Sequence, residues 1–293
     1  MKPDTPTLIN DGWDRNTRKP KVIPPPNACD CAVHVFGPPG SCSLDAARTY
    51  DPPEASFDQA RRMHRILGID RGVLVQPTTY GTDHRVLLEA LERGEGRYLA
   101  TGIVNDSVSD AELQRLAKAG VRGARFNFLN RQYWTREKFE RTVARIAELG
   151  WITIVHGSAD ELLERQDMLR KVPTQVLIDH MLHWDMSRSY VGGKHIDFAL
   201  ELLGRGNFWI KLSNGDRISL QDPPYDDTIG LAQAFIKAAP DRTIWATDWP
   251  HVLYRKKTVP DDAELIELLF RYAPEAALRQ KILVDNPATL FGF

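Results

Sequence analysis

Short runs of apolar residues alternate along the chain with longer stretches in which apolar residues recur three and four positions apart. The short runs are rich in Val and Ile and do not alternate strictly with polar residues, which is typical of parallel strands buried on both faces. The longer stretches have the period of helices that bury one face. The pattern predicts strands at residues 29–35, 72–76, 99–104, 123–127, 151–156, 175–179, 208–212 and 243–247, and helices at residues 57–67, 85–93, 110–119, 136–149, 159–171, 196–203, 228–238 and 262–272.

Strand and helix alternate eight times within roughly 260 residues, which is the count and length of a (β/α)₈ barrel. We therefore expect residues 28–293 to form a single α/β barrel domain. Residues 1–27 are polar and end in Pro24, Pro25 and Pro26, so we expect an extended surface arm. A doubly wound open sheet is the alternative, but the chain after the first predicted strand lacks the glycine-rich phosphate-binding turn.

The composition excludes several classes of protein. A formal net charge of −1 gives no sign of nucleic-acid binding. No run of about 18 apolar residues is present and the N-terminus lacks a signal-peptide pattern, so we expect a cytoplasmic protein that does not cross a membrane. The three cysteines, Cys29, Cys31 and Cys42, are too few for a secreted disulfide framework. The single residue between the first two is also too short a spacing for a zinc loop.

Polar residues stand where four of the predicted strands end. Asp248 ends the last strand, and His34, His156 and His180 end the first, fifth and sixth. The active sites of (β/α)₈ barrels lie at these carboxyl ends, so we expect the four side chains to share one pocket. Asp248 can be a general base, a metal ligand or a buried structural partner. A single histidine at a strand end is more often a hydrogen-bonded structural residue than a ligand, but three at the same end favour a functional site.

Other residues near the predicted strand ends suit the binding of an anion. Arg125 and Arg131 flank the end of the fourth strand, Arg217 follows the seventh, and Thr78 follows the second. Arginine matches the geometry of a carboxylate with two hydrogen bonds, although an internal salt bridge is the alternative for each. His183 could reach the rim of the pocket, but it is expected to be a loop residue outside the site. The remaining histidines, at positions 64, 84 and 195, fall on or near predicted helices and are expected at the surface.

Several motifs resemble the amidohydrolase superfamily, in its amidohydrolase-2 branch. The first-strand segment Cys29-Asp30-Cys31-Ala32-Val33-His34-Val35-Phe36-Gly37-Pro38 and the last-strand segment Thr247-Asp248-Trp249-Pro250-His251 carry this resemblance. Within the branch, the group of 2-pyrone-4,6-dicarboxylate lactonases is similar to the chain over residues 122–131 and 178–181. Shorter matches support that narrower resemblance: Val75-Gln76, Gly81-Thr82-Asp83, Pro260-Asp261-Asp262 and Asn286-Pro287.

The resemblance implies a distorted (β/α)₈ barrel that hydrolyses a carboxylate-bearing lactone in the bacterial breakdown of aromatic acids. In that family the residue that corresponds to Asp248 activates water and returns its proton to the leaving oxygen. Histidines corresponding to His34 and His180 polarise the lactone carbonyl. The family's substrate carboxylates are held by residues that correspond to Arg125, Arg131, Arg217 and Thr78. The dicarboxylate lactonases act without a metal ion, which is unusual in the superfamily.

Two positions depart from the family's pattern. The first of its two first-strand histidines is Ala32 here, and a histidine, His156, replaces the tyrosine that ends strand five in the dicarboxylate lactonases. We expect a metal-free site in which His156 helps to bind the substrate. A zinc site formed by His34, His156 and Asp248, with one open position, is the alternative.

The same two changes leave the substrate open. Besides a pyrone dicarboxylate, the alternatives are 4-sulfomuconolactone, a sugar-diacid lactone that is hydrolysed or isomerised, and the acid substrate of a metal-dependent decarboxylase of the same branch. A non-catalytic binding protein that retains the pocket is a further alternative. The expected partner is a small anionic molecule, and the sequence does not predict an oligomeric state.

Overall fold

Eight parallel strands form one sheet whose spatial order is the order of the chain. The computed structural model describes residues 13–129 and 134–293. The strands are β1 Cys29–Val33, β2 Arg71–Val75, β3 Tyr98–Gly102, β4 Val121–Asn127, β5 Ile152–His156, β6 Val176–Ile178, β7 Phe208–Leu212 and β8 Thr243–Trp245. Each strand pairs with the next in parallel register. Beyond β8, the amide of Asp248 donates to the carbonyl of Ala32 at 3.1 Å and the carbonyl of Trp249 accepts from His34 at 2.8 Å. These bonds bring the last strand back to the first, which confirms the predicted (β/α)₈ barrel.

Helices connect the strands and cover the outside of the barrel. Their bounds are α1 Phe57–Leu67, α2 Arg85–Arg93, α3 Asp110–Ala119, α4 Arg136–Ala147, α5 Ala159–Glu164, α6 Gln166–Leu169, α7 Lys194–Gly204, α8 Gly215–Ile218, α9 Ile229–Ala238, α10 Asp262–Tyr272, α11 Ala276–Gln280 and α12 Asn286–Phe291. Ser56 and Ser158 each cap a helix with a reciprocal hydrogen bond from the residue three positions on. The helix predicted at residues 159–171 is divided at Arg165, whose φ of −104° and ψ of 13° interrupt the helical backbone.

The interior of the barrel changes from apolar to polar along each strand. On β5, Ile152 and Ile154 face the apolar interior, and His156 follows them at the carboxyl end. Trp209 on β7 likewise belongs to this inner cluster, and the buried Lys211 follows it two residues later. Because side chains of a strand alternate between its faces, residues two apart share the interior. The apolar layers therefore support a polar layer at the strand ends.

Two histidines expected at the surface are buried. His64 is 1% exposed and His84 is 2% exposed, so the prediction for both was wrong. His64 lies on the face of α1 that packs against the barrel, where Nδ1 contacts the Tyr98 hydroxyl at 2.9 Å and Nε2 contacts Asp30 at 3.3 Å. Asp30 in turn accepts from the amide of Thr247 at 3.0 Å. This buried network joins α1, β1 and the segment after β8.

The described part of the predicted N-terminal arm contacts the barrel. The rings of Trp13 and Trp249 lie 5.1 Å apart, and Arg18 donates two hydrogen bonds to Glu267 on α10. The division into an arm at residues 1–27 and a domain at residues 28–293 stays a prediction. Within the described residues, no helix has both the length and the apolar character needed to cross a membrane.

Candidate active site

The carboxyl ends of the strands surround a cavity of about 610 Å³. Seven of the eight predicted site residues line it, and Arg131 lies outside the described residues. The lining residues that were predicted are His34, Thr78, Arg125, His156, His180, Arg217 and Asp248. The same wall contains others that local sequence patterns did not indicate, among them Tyr50, Asn127, Asn214, Tyr254, Arg255 and Lys256. The parallel barrel thus brings together residues that are far apart in the chain.

Asp248 lies at the centre of this polar layer and is 7% exposed. Its φ of 63° is in the left-handed region, a strained backbone that is found at functional sites. One carboxylate oxygen is 3.3 Å from His34 Nε2 and 3.8 Å from His180 Nε2, and the other is 3.5 Å from Arg217 Nη2. Burial opposes ionisation, but His180, His34 and Arg217 together hold the pKa of the Asp248 carboxyl well below its ordinary value. The carboxylate is therefore ionised at neutral pH.

His34 is held between a carbonyl and this carboxylate. Its Nδ1 is 2.8 Å from the carbonyl oxygen of Val75, which can only accept, so Nδ1 carries a hydrogen. A hydrogen bond from Nε2 to Asp248 then requires a hydrogen on both ring nitrogens. In this arrangement His34 offers an N–H at the floor of the cavity.

Arg125 is part of a buried ion-pair group whose other members the sequence did not identify. Its Nε donates to one oxygen of Asp179 at 2.7 Å, and Lys211 Nζ donates to the other at 2.7 Å. Asp179 is 1% exposed; burial would raise the pKa of its carboxyl, but Lys211 and Arg125 hold that pKa well below the ordinary value. The internal salt bridge that was the alternative for Arg125 is present, while its guanidinium also lines the cavity.

The same arginine sets the protonation of two histidines. Arg125 Nη2 is hydrogen-bonded to His156 Nδ1 and lies 3.2 Å from His180 Nε2. Guanidinium only donates, so both imidazole nitrogens accept and both rings are neutral. His180 then carries its hydrogen on Nδ1, which faces the Ser213 hydroxyl at 2.8 Å. Burial and the nearby Arg125 charge hold the pKa of His156 well below its ordinary value, and burial does the same for His180.

The segment that follows β6 forms a left-handed turn. His180, Met181, Leu182 and His183 have φ values of 53°, 49°, 58° and 42°. For residues with a β-carbon this conformation costs about 1–2 kcal/mol per residue. The turn brings His183 to the cavity wall, with its ring centroid 4.5 Å from that of His156 and 5.1 Å from that of His180. Burial lowers the pKa of His183 to about 4, so this ring is also neutral at pH 7.

Arg125 competes with a metal ion for the donor groups of this site. In the described part of the chain, one group has ligand atoms close enough together to hold a metal ion. It consists of His156, His180 and His183, whose ligand atoms lie within 4.8 Å of one another. Among the same described residues, the alternative set of His34, His156 and Asp248 does not bring its ligand atoms this close together. Arg125 Nη2 already donates to imidazoles of two members of the triad. The permanent charge of Arg125 would repel a divalent ion. Its hydrogen bonds also occupy the imidazole lone pairs that would bind the metal.

Tyr50 adds a neutral donor to the cavity wall. Burial raises the pKa of its phenol to about 12, against the effect of the neighbouring Thr78 hydroxyl. Arg217 lies over the ring of Tyr254, with its guanidinium carbon 5.2 Å from the centroid, and donates to the Val252 carbonyl at 3.0 Å. The residue at position 50 lies in a loop without local periodicity, so only the folded chain reveals it.

The sequence and the fold are similar to those of known proteins. A 2-pyrone-4,6-dicarboxylate hydrolase of Comamonas testosteroni is 36% identical over 289 residues, which cover 95% of this chain and 94% of the relative. A 4-sulfomuconolactone hydrolase of Rhizobium radiobacter is 38% identical over 275 residues, which cover 92% of this chain and 91% of the relative. The apo crystal structure of a protein from Agrobacterium tumefaciens superposes with a TM-score of 0.84 at 27% identity, covering 94% and 98%. The amidohydrolase family model matches residues 29–293, and the chain therefore belongs to the amidohydrolase-2 family.

Proposed function

We propose that the protein is a lactonase that opens a lactone bearing anionic groups, with Asp248 as the base that activates water. One observation carries this proposal. An ionised, nearly buried carboxylate lies at the strand ends between His34, His180 and Arg217, in a cavity large enough for a small ring. The two hydrolase relatives that match more than nine-tenths of the chain support the same class of reaction.

In the proposed reaction Asp248 accepts a proton from water as the water oxygen bonds to the lactone carbonyl carbon. The carbonyl electron pair moves to oxygen, and the Nε2–H of His34, released from Asp248 as that carboxylate takes up the proton, stabilises that charge. Collapse of the intermediate breaks the bond between this carbon and the ring oxygen. Asp248 returns its proton to the leaving oxygen, which becomes a hydroxyl group, while the attacked carbonyl carbon becomes a new carboxyl group. A positioned base of this kind contributes about 10²–10⁴-fold in rate.

His180 must change its tautomer before it can polarise the carbonyl, a requirement that the sequence did not indicate. As found, its Nε2 accepts from Arg125 and has no hydrogen to offer a carbonyl oxygen. It becomes a donor only in the tautomer in which the Ser213 hydroxyl donates to Nδ1. We therefore propose that an anionic group of the substrate draws Arg125 away from His180 as it binds. This movement would prepare His180 to polarise the carbonyl together with His34.

The cationic lining favours a substrate with two negative charges. Arg125, Arg217, Arg255 and Lys256 line the cavity, against the single carboxylate of Asp248. We propose that Arg125, Arg217 and Thr78, with His156 and Arg131, bind these anionic groups. A carboxylated and a sulfonated lactone both satisfy this requirement, and each appears in the name of one hydrolase relative.

The function is tested by incubating the purified protein with a panel of pyrone, muconolactone and sugar-diacid lactones. We expect loss of the ultraviolet absorbance of at least one anionic lactone with kcat/KM of about 10⁴ M⁻¹s⁻¹ or more. Proton NMR of the product distinguishes a ring-opened acid from an isomeric lactone, and release of carbon dioxide would indicate a decarboxylase. Failure to open any lactone while the folded protein binds the panel would contradict the proposal.

We further propose that the reaction requires no metal ion. The Arg125 guanidinium already places a positive charge between His156 and His180. We expect purified protein to contain less than about 0.1 equivalent of zinc by elemental analysis and to keep its kcat after treatment with a chelator. Stoichiometric zinc whose removal abolishes turnover, and whose return restores it, would overturn this proposal.

A further inference from the structure

His183 has a free nitrogen on the wall of the cavity. Its Nε2 is buried and has no hydrogen-bond partner in the part of the chain that the structure describes. A buried polar atom without a partner costs about 1–3 kcal/mol, and a bound ligand is one way in which that cost is removed. The ring lines the same cavity as Asp248. His183 is therefore available to a bound molecule.

The neighbouring His156 presents a second donor. Because its Nδ1 accepts from Arg125, the hydrogen of this neutral ring is on Nε2. The rings of His156 and His183 meet edge to face with centroids 4.5 Å apart. Two neutral imidazoles side by side can each donate one N–H to the same acceptor. An oxyanion carries several lone pairs and is the acceptor that best satisfies both.

The backbone at this point is strained. Four consecutive residues, 180–183, have positive φ, although none of them is glycine. Strain of this kind persists where the surrounding structure holds it and is concentrated at functional sites. Its effect here is to place the imidazoles of His180 and His183 on one side, 5.1 Å apart.

We propose that His183 and His156 form an oxyanion subsite that binds one exocyclic carboxylate or sulfonate of the lactone. This inference rests on the proposed lactonase function for the identity of the ligand. In the proposed binding mode the subsite holds this substituent, while Arg217 lies beside Asp248 at 3.5 Å. It therefore selects substrates by an anionic substituent and takes no part in activating water.

The kinetic test compares His183→Phe and His183→Gln with the control His195→Phe. His195 contacts Asp160 at 2.6 Å and does not line the cavity, so its replacement should leave catalysis unchanged. On the anionic lactone we expect His183→Phe to raise KM by about 10–100-fold with kcat within threefold, since a hydrogen bond to a charged group is lost. His183→Gln keeps an N–H donor and should restore KM to within about fivefold of wild type.

A binding test separates this inference from the lactonase proposal. Benzene-1,3-dicarboxylate and 3-sulfobenzoate are planar six-membered rings with two anionic groups, and calorimetry measures their affinity without any turnover. We expect His183→Phe to weaken at least one of them by about tenfold or more and benzoate by less than threefold. Preference for the carboxylate or the sulfonate probe would identify the group that the subsite takes. If no lactone is hydrolysed, this result still tests the subsite.

Two outcomes would overturn the subsite. Unchanged KM and unchanged probe affinity in both His183 variants would show that the ring does not contact the ligand. A fall in kcat without a rise in KM would show that His183 only positions His180. Circular dichroism must show that the variants are folded, and if the Phe variant is not, His183→Gln and His183→Asn provide the same comparison.

Discussion

Replacing Asp248 with Asn is expected to lower kcat by about 10³–10⁴-fold while KM stays within about threefold of wild type. The amide has nearly the shape of the carboxylate and its oxygen still accepts from His34, but it cannot take a proton from water. The wild-type carboxylate is ionised because His180, His34 and Arg217 surround it. Loss of its charge should leave anion binding unchanged or slightly tighter, because Arg217 then lacks its nearest carboxylate.

Asp262→Asn is the matched control for this experiment. Asp262 is also a buried aspartate beside a histidine, His251, at 3.0 Å, but it does not line the cavity. We expect this variant to lose thermal stability and to keep kcat within about tenfold. Steady-state kinetics on the hydrolysed lactone and a thermal melt measure both quantities. Near wild-type kcat in Asp248→Asn would remove Asp248 from the role of base.

Replacing Arg125 with Met is expected to impair both stability and substrate binding. Asp179 would lose one of its two cations in a buried site, and breaking a buried pair in this way costs about 3–5 kcal/mol. For a chain of this size we expect the melting temperature to fall by about 10 °C. His156 and His180 would lose their shared donor, and KM for an anionic lactone should rise by at least tenfold.

Lys211→Met separates the effect of Arg125 on stability from its effect on substrate binding. Lys211 contacts the other oxygen of Asp179 but does not line the cavity. We expect a similar fall in melting temperature and less than threefold change in KM. An equal rise in KM in both variants would show that Arg125 acts only through Asp179. A normal KM in Arg125→Met would remove it from the anion site.

The hydrophobic pattern predicted the order of elements well because each barrel strand and helix buries a face of its own. All eight strands were predicted, and helices α1, α2, α3 and α10 have the predicted bounds. The errors lie at ends that depend on long-range hydrogen bonds. The last strand was predicted to reach residue 247, but β8 ends at Trp245, and the amide of Thr247 bonds to Asp30 instead.

The error at His64 has a different origin. On α1 the buried residues include Phe57, Ala60, His64 and Leu67, spaced three and four apart. The helical period thus placed His64 on the inner face, but its polarity led to the expectation of a surface position. Asp30 and the Tyr98 hydroxyl, which make burial of that imidazole favourable, come from strands that are distant in sequence. The sequence pattern was therefore sufficient to predict that the His64 side chain faces inward, but it did not reveal the hydrogen-bond partners.

The sequence alone determined the barrel, its family and the polar residues that end each strand, because these follow from local periodicity and from short motifs. Only the tertiary structure decided how those residues pair. Arg125 and Asp179 are 54 positions apart, and His34 and Asp248 are 214 apart. Hydrogen bonds between such residues depend on distances across the closed barrel, which no local pattern encodes. For the same reason the left-handed turn that brings His183 beside His156, and the guanidinium that keeps their neighbour His180 neutral, became visible only in the folded chain.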